Sequence, residues 1–244
     1  MAKPLGGRLN QKDPSGLRAT EDRRAREIDR ELDALLKKVL AQVDADSTPA
    51  DIKRIVDVEL AGYRYEVKDK VLDWVEDTQR RSVIRSRKLL RAAGVGVGAI
   101  LGPAGLPEDV RDRIAANVES EIDSLSDDVK KKLTSSLLEG LEAGEGARDL
   151  GKRVAGDLAM ERERAELIAR TETMRAFNDS AVAQYRAADV EKVQWWAAID
   201  DRTCDVCGDM GGYHGKIFDI DKAPPCPAHP RCRCVLLPVI PETS

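Results

Sequence analysis

A mostly α protein is predicted, with long N-terminal helices followed by a small C-terminal α+β module. Three observations predict it. Charged residues make up 34% of the 244 and aromatics only 4%, a balance suited to amphipathic helices with thin apolar stripes rather than a sheet-rich enzyme core. Apolar residues recur at helical spacing along the chain as far as Tyr185. All five cysteines and both histidines then fall between Cys204 and Cys234, where the helical pattern has stopped.

Residues 1–19 are punctuated by Pro4, Gly6, Gly7, Pro14 and Gly16 and read as a flexible arm. It is basic (Lys3, Arg8, Lys12, Arg18), which reads first as a solvated terminus and second as a contact for phosphate or an acidic partner. From Thr20, placed as an N-cap, Ile28, Leu32, Leu35, Leu36, Val39 and Val43 mark a first helix to about Asp44. Thr48-Pro49-Ala50-Asp51 supplies a cap, a first-turn proline and a first-turn acid for a second helix. Its apolar positions run from Ile52 to Val75, and it should reach about Leu90.

A basic cluster (Arg80, Arg81, Arg85, Arg87, Lys88, Arg91) precedes the glycine-rich stretch 92–106. That stretch is too short and too helix-averse to cross roughly 30 Å of hydrocarbon, so it reads as a connector and no membrane association is expected. The N-terminus lacks the apolar region of an export signal, so a reducing cytoplasm is the expected site of synthesis.

Pro107-Glu108-Asp109 opens a third helix, and Ser126-Asp127-Asp128 reads as the start of a fourth after a tight turn. Gly140, Gly144, Gly146 and Gly151 mark a loop, and a further helix is expected from Arg153 to about Ala188. From Gln194 the pattern is short strands and turns. The predicted organisation is an arm over 1–19, a helical domain over 20–139 and a C-terminal domain over 140–244, with its Cys/His module at about 194–238.

Cys204-Asp205-Val206-Cys207 is a knuckle whose two thiolates can converge on one Zn²⁺, and a second pair of donors some twenty-five residues later closes a tetrahedron. Cys232 and Cys234 share a face of an extended segment while Arg233 points away, and His229 joins them across the Pro230 turn. The ligands are Cys204, Cys207 and two of His229, Cys232 and Cys234, with Cys226 next in line and His214 last. This makes the module zinc-stapled. Disulfides would require an oxidising compartment and would leave one of the five cysteines unpaired.

No catalytic role is expected. Pro225-Cys226 echoes half of a zinc-deaminase signature, but the H-x-E half is missing, since Gly215 and Lys216 follow His214. No H-E-x-x-H occurs, and neither histidine lies outside the cluster to serve a nucleophile. Glu161 to Arg164 read as a salt-bridged helix face. The glycine runs near Gly94 and Gly144 lack the lysine and preceding strand of a phosphate loop.

Three stretches resemble the phage Mu protein F-like family of minor head or head-morphogenesis proteins. They are Ile168-Ala169-Arg170-Thr171-Glu172 with the helix to Tyr185, then Trp195 through Cys207, then Pro224-Pro225 leading to His229-Pro230-Arg231-Cys232-Arg233-Cys234. The resemblance covers about residues 140–238. It implies a structural, portal-associated virion protein, a minor capsid component inside the capsid or at the portal vertex, made in the host cytoplasm. Such a protein acts in head morphogenesis and genome packaging or delivery. Implied partners are the portal protein and other head proteins, with packaged DNA as a contact for the basic N-terminal segments. Only six residues follow Pro238, so the toxin domain carried by some relatives is not expected. Cys226 departs from the family pattern. The alternative reading is a zinc-ribbon nucleic-acid binder acting outside the virion, which fits poorly with Asp200, Asp201, Asp205, Asp209, Asp219 and Asp221 around the module.

Overall fold

The computed structural model describes residues 3–4, 10–96, 107–208 and 211–241. Most of the arm before Asn10 and the connector beyond residue 96 lie outside the described residues, as does Asp209. The elements are β1 (Lys3–Pro4), α1 (Arg18–Leu40), α2 (Pro49–Ala92), α3 (Glu108–Glu142), α4 (Ala147–Asp157), α5 (Ala159–Arg186), β2 (Lys192–Trp196), β3 (Ile217–Asp219) and β4 (Val235–Ile240). The mostly helical class with a small C-terminal strand module is therefore as expected. The chain divides into two compact units, residues 22–73 with 115–169, and residues 1–21 with 74–114 and 170–244.

The first of these units is a helical bundle. Within it α1 buries Ile28, Leu32, Leu35, Leu36 and Val39, α2 buries Ile52, Val56, Leu60, Tyr63 and Val67, and α3 buries Val118, Ile122, Leu125, Val129, Leu133 and Leu137. These are the stripes that the periodicity marked. Ion pairs record the directions: Asp57–Lys130, Arg64–Asp123 and Lys68–Glu119 join α2 to α3, the α3 partner moving back as α2 advances, so the two run antiparallel. Lys70–Glu31 and Gln42–Glu59 place α1 antiparallel to α2 in the same way. Such exposed pairs add little energy, and the buried stripes hold the bundle.

Three helix expectations are corrected. The restart at Ser126 does not occur, because α3 is continuous; Ser126 is buried and its hydroxyl donates to the Ile122 carbonyl at 2.8 Å, so it bonds within its own helix instead of capping a new one. The helix expected from Arg153 begins earlier, after Gly146, and is interrupted at Leu158, which has left helical geometry (φ −91°, ψ 9°) and is fully buried. Nearby Gly156, a poor helix former, weakens the same turn. The Thr48 cap forms as expected, with Thr48 Oγ1 donating to Asp51 Oδ2 at 2.6 Å and accepting from the Asp51 N–H at 3.2 Å. α1 starts at Arg18 instead of behind Thr20, and the Asp13 carboxylate accepts from the N–H groups of Gly16, Leu17 and Arg18 at its entrance.

The second unit carries the sheet, antiparallel throughout, in the order β1-β4-β2-β3. β2 pairs with β4 from Lys192↔Val239 to Trp196↔Val235, so Trp195 and Trp196 point to opposite faces. Trp195 is fully buried against Tyr213, ring centroids 4.9 Å apart, while Trp196 packs with Leu17, Met174 and Phe177. Arg85, one of the basic cluster, is turned inward: its guanidinium donates to the carbonyls of Pro14 and Ser15 and lies 5.6 Å from the Phe177 ring centroid.

α5 enters β2 through a reversal. The Val190 N–H donates to the Tyr185 carbonyl and the Asp189 N–H to the Arg186 carbonyl, both at 3.0 Å, with Asp189 in the left-handed region at φ 56°. α2 and α3 end in the same pattern, with Gly94 at φ 80° and Gly144 at φ 69° in the left-handed position.

Candidate metal centre

The knuckle is a tight turn built on one carbonyl. Cys204 C=O accepts from the N–H groups of Cys207 at 3.1 Å and Gly208 at 2.8 Å, which turns both sulfurs to one side. The returning chain is seated by Tyr213 N–H on the Val206 carbonyl at 2.9 Å. It passes so close that a Cβ on Gly212 would lie 2.4 Å from the Gly208 oxygen and 2.5 Å from the Asp205 oxygen, so only glycine fits there.

Just before the knuckle, Asp200 N–H donates to Thr203 Oγ1 and Thr203 Oγ1–H to the Ala198 carbonyl, both at 2.8 Å. The Asp200 carboxylate then receives both terminal nitrogens of Arg233 at 2.6 Å. Arg233 is thus the bolt between the two halves of the cluster. Hydrogen bonds from Arg233 hold the Asp200 carboxyl well below the usual carboxylate range, and the carboxylate in turn raises Arg233.

Cys204 and Cys207 Sγ lie 3.1 and 3.3 Å from His229 Nε2, and Cys207 Sγ lies 3.8 Å from Cys232 Sγ. Two triads, Cys204/Cys207/His229 and Cys207/Cys232/Cys234, each have all donor atoms within 4.8 Å of one another. Cys226 is buried beside them, its thiol donating to the Cys234 carbonyl at 3.3 Å. Among the described residues no disulfide forms, and all five thiols are free. His214 is elsewhere: its Nδ1 accepts from the Ala197 N–H at 3.1 Å and its ring lies against Trp196.

The arrangement fits a metal ion on three counts. His229 Nδ1 lies 2.7 Å from the Pro230 carbonyl, which can only accept, so Nδ1 carries the proton and Nε2 presents its lone pair to the cysteines. A tetrahedral thiolate site with metal–sulfur bonds of about 2.3 Å spaces its sulfurs about 3.8 Å apart, the separation seen between Cys207 and Cys232. A cavity of about 20 Å³, room for one ion, is lined by Cys204, Cys207, His229, Cys232 and Cys234 together with Arg202, Arg231 and Arg233.

The thiols perturb one another. Hydrogen bonds from Cys207 and Cys226 hold Cys232 down, and its thiolate in turn pushes Cys207 up. For Cys204, desolvation is outweighed by the Cys207 N–H and thiol, which bring it below its ordinary value. Burial pushes Cys226 well up. Sulfurs this close share negative charge poorly, and a soft cation among them removes the conflict.

Sequence reasoning placed the cysteines and His229 but missed Asn178 and Asp200 as their supports. Asn178, buried on α5, donates to the Cys234 carbonyl at 3.1 Å and accepts from the Leu236 N–H at 3.0 Å. Tyr185, seven residues on and so on the same helix face, donates to the Leu236 carbonyl at 3.3 Å. Glu172 is buried and pairs at 3.1 Å with Arg175 on its own helix.

A helical protein with a small antiparallel sheet and a Cys/His cluster between a knuckle and a C-terminal strand is the class so defined. Residues 131–237 match the family model described as Phage Mu protein F like protein. That is a family of phage head morphogenesis. No curated protein and no solved structure matches the chain.

Proposed function

We propose that this protein is a structural minor head, or minor capsid, component of a tailed bacteriophage, associated with the portal and acting in head morphogenesis and genome packaging or delivery. The observation that carries this reading is the family match over residues 131–237, which takes in the module that Asp200, Arg233 and the Cys/His cluster close. Its partners are the portal protein and other head proteins. It resides in the capsid interior or at the portal vertex, and the basic N-terminal segments are the part suited to packaged DNA. No described helix is long and apolar enough to cross a membrane.

The metal is Zn²⁺ in a structural role, held by Cys204, Cys207, His229 and Cys232, with protein donors at every position and none left open for catalysis. The chain performs no reaction in this reading. Quantitative mass spectrometry of purified particles from the phage encoding it tests the assignment: low-copy presence, with loss of DNA-filled heads when the gene is deleted, is expected. Absence from particles, combined with nucleic-acid binding by the isolated chain, overturns it in favour of a zinc ribbon acting outside the virion.

A further inference from the structure

The outward face of α2 carries a stripe that the bundle does not use. Val58, Ala61, Gly62 and Tyr65 follow one another at helical spacing and are all exposed, Val58 at 64% and Tyr65 at 70%. Exposed Arg54 and Asp69 stand at the two ends of the same stripe. A Cβ added at Gly62 would meet nothing within 4 Å, so among the described residues nothing covers its middle. Single exposed apolar side chains are ordinary, whereas a continuous uncharged stripe on the solvent face of a charged helix marks a contact surface.

We infer that this stripe is the contact surface for a second copy of the same chain, the two α2 helices packing antiparallel about a two-fold axis between Ala61 and Gly62. The stripe is complementary to itself. That axis sets Val58 against the partner's Tyr65 and Ala61 against the partner's Gly62. The small central pair lets the two backbones approach, and a Val58–Tyr65 pair closes over it on either side.

Charge selects the same arrangement. The axis brings Arg54, whose side chain is 70% exposed, alongside the partner's Asp69, and symmetry repeats the pair at the other end. A parallel arrangement would set Arg54 against Arg54 and Asp69 against Asp69. A partner of uniform charge, such as nucleic acid, would meet one end of the stripe with its like. One helix crossing is small beside a standard interface, so the dimer is expected to dissociate on dilution.

The test is analytical ultracentrifugation of the full chain over a concentration series, where a monomer–dimer equilibrium is expected. Tyr65→Glu should raise the dissociation constant about tenfold or more, with helical dichroism unchanged because the side chain lies outside the core. Arg54→Asp and Asp69→Arg should each weaken the dimer, and the two together in one chain should restore it, since the exchange rebuilds both pairs across the axis. A chain that stays monomeric at every concentration overturns the proposal, and so does a dimer that Tyr65→Glu leaves intact. Weakening by Tyr65→Glu without rescue by the double exchange overturns the antiparallel register.

Discussion

Asn178→Ala is the substitution whose cost follows most directly from the geometry. β4 is paired on one side with β2, while on its other side, among the described residues, β1 reaches only Val239 and Ile240. The Leu236 N–H is satisfied by Asn178 Oδ1 at 3.0 Å instead of by a described strand, inside a site where Asn178 is 1% exposed. The Cys234 carbonyl accepts from the same amide group at 3.1 Å. Truncation leaves a buried donor unsatisfied, costing about 1–3 kcal/mol, and removes one further net hydrogen bond worth about 1 kcal/mol. The expected loss is about 2–4 kcal/mol, confined to the unit that contains the sheet. Urea titration followed by tryptophan emission reads it, because Trp195 and Trp196 sit on the strand beside β4. Hydrogen exchange at the Leu236 amide gives the local view, where protection should fall by a factor of about 30 or more. A shift below about 0.5 kcal/mol, with Leu236 still protected, would show that Asn178 is not what closes this edge.

Three further expectations concern the same unit. Cys204→Ser or Cys207→Ser should melt the C-terminal module and leave the helical bundle folded, since binding energy at a structural metal is folding energy; unchanged near-ultraviolet dichroism and protease resistance would contradict this. Asp200→Asn should destabilise the module by about 2 kcal/mol, because it replaces a charge-assisted pair by a neutral one. The wild-type carboxyl is depressed from 3.8, so its contribution is complete above that value and is lost as pH falls through the lower folded value. The variant should therefore show a smaller loss of stability below pH 4 than the wild type in acid titrations followed by fluorescence. Asp189→Gly should stabilise by about 0.5–1 kcal/mol, since α2 and α3 use glycine in the corresponding left-handed position; a lowered melting temperature would mean that the Asp189 side chain has a task of its own.

Helices were legible because burial follows a period that a linear string displays. Ile28 to Val39 and Ile122 to Leu137 could be read as stripes and are buried as stripes. Helix ends were less legible. Ser126 followed by two acids has the composition of a cap, and only its phase within the continuous α3 stripe makes it interior. Leu158 has no breaker's composition, and it is fully buried where the chain leaves helical geometry.

The sequence by itself determined the helical class, the resemblance of the C-terminal region and the candidate metal donors, because knuckle spacing and thiol chemistry are local properties. Tertiary structure decided what surrounds them. That Arg233 meets Asp200 thirty-three residues away, that Asn178 and Tyr185 satisfy the edge of β4 at Leu236, and that Cys226 packs beside the other cysteines depend on how α5 lies along the sheet. Such pairings are fixed by the need of buried polar groups for partners, and which partners are within reach is settled only when the chain has folded.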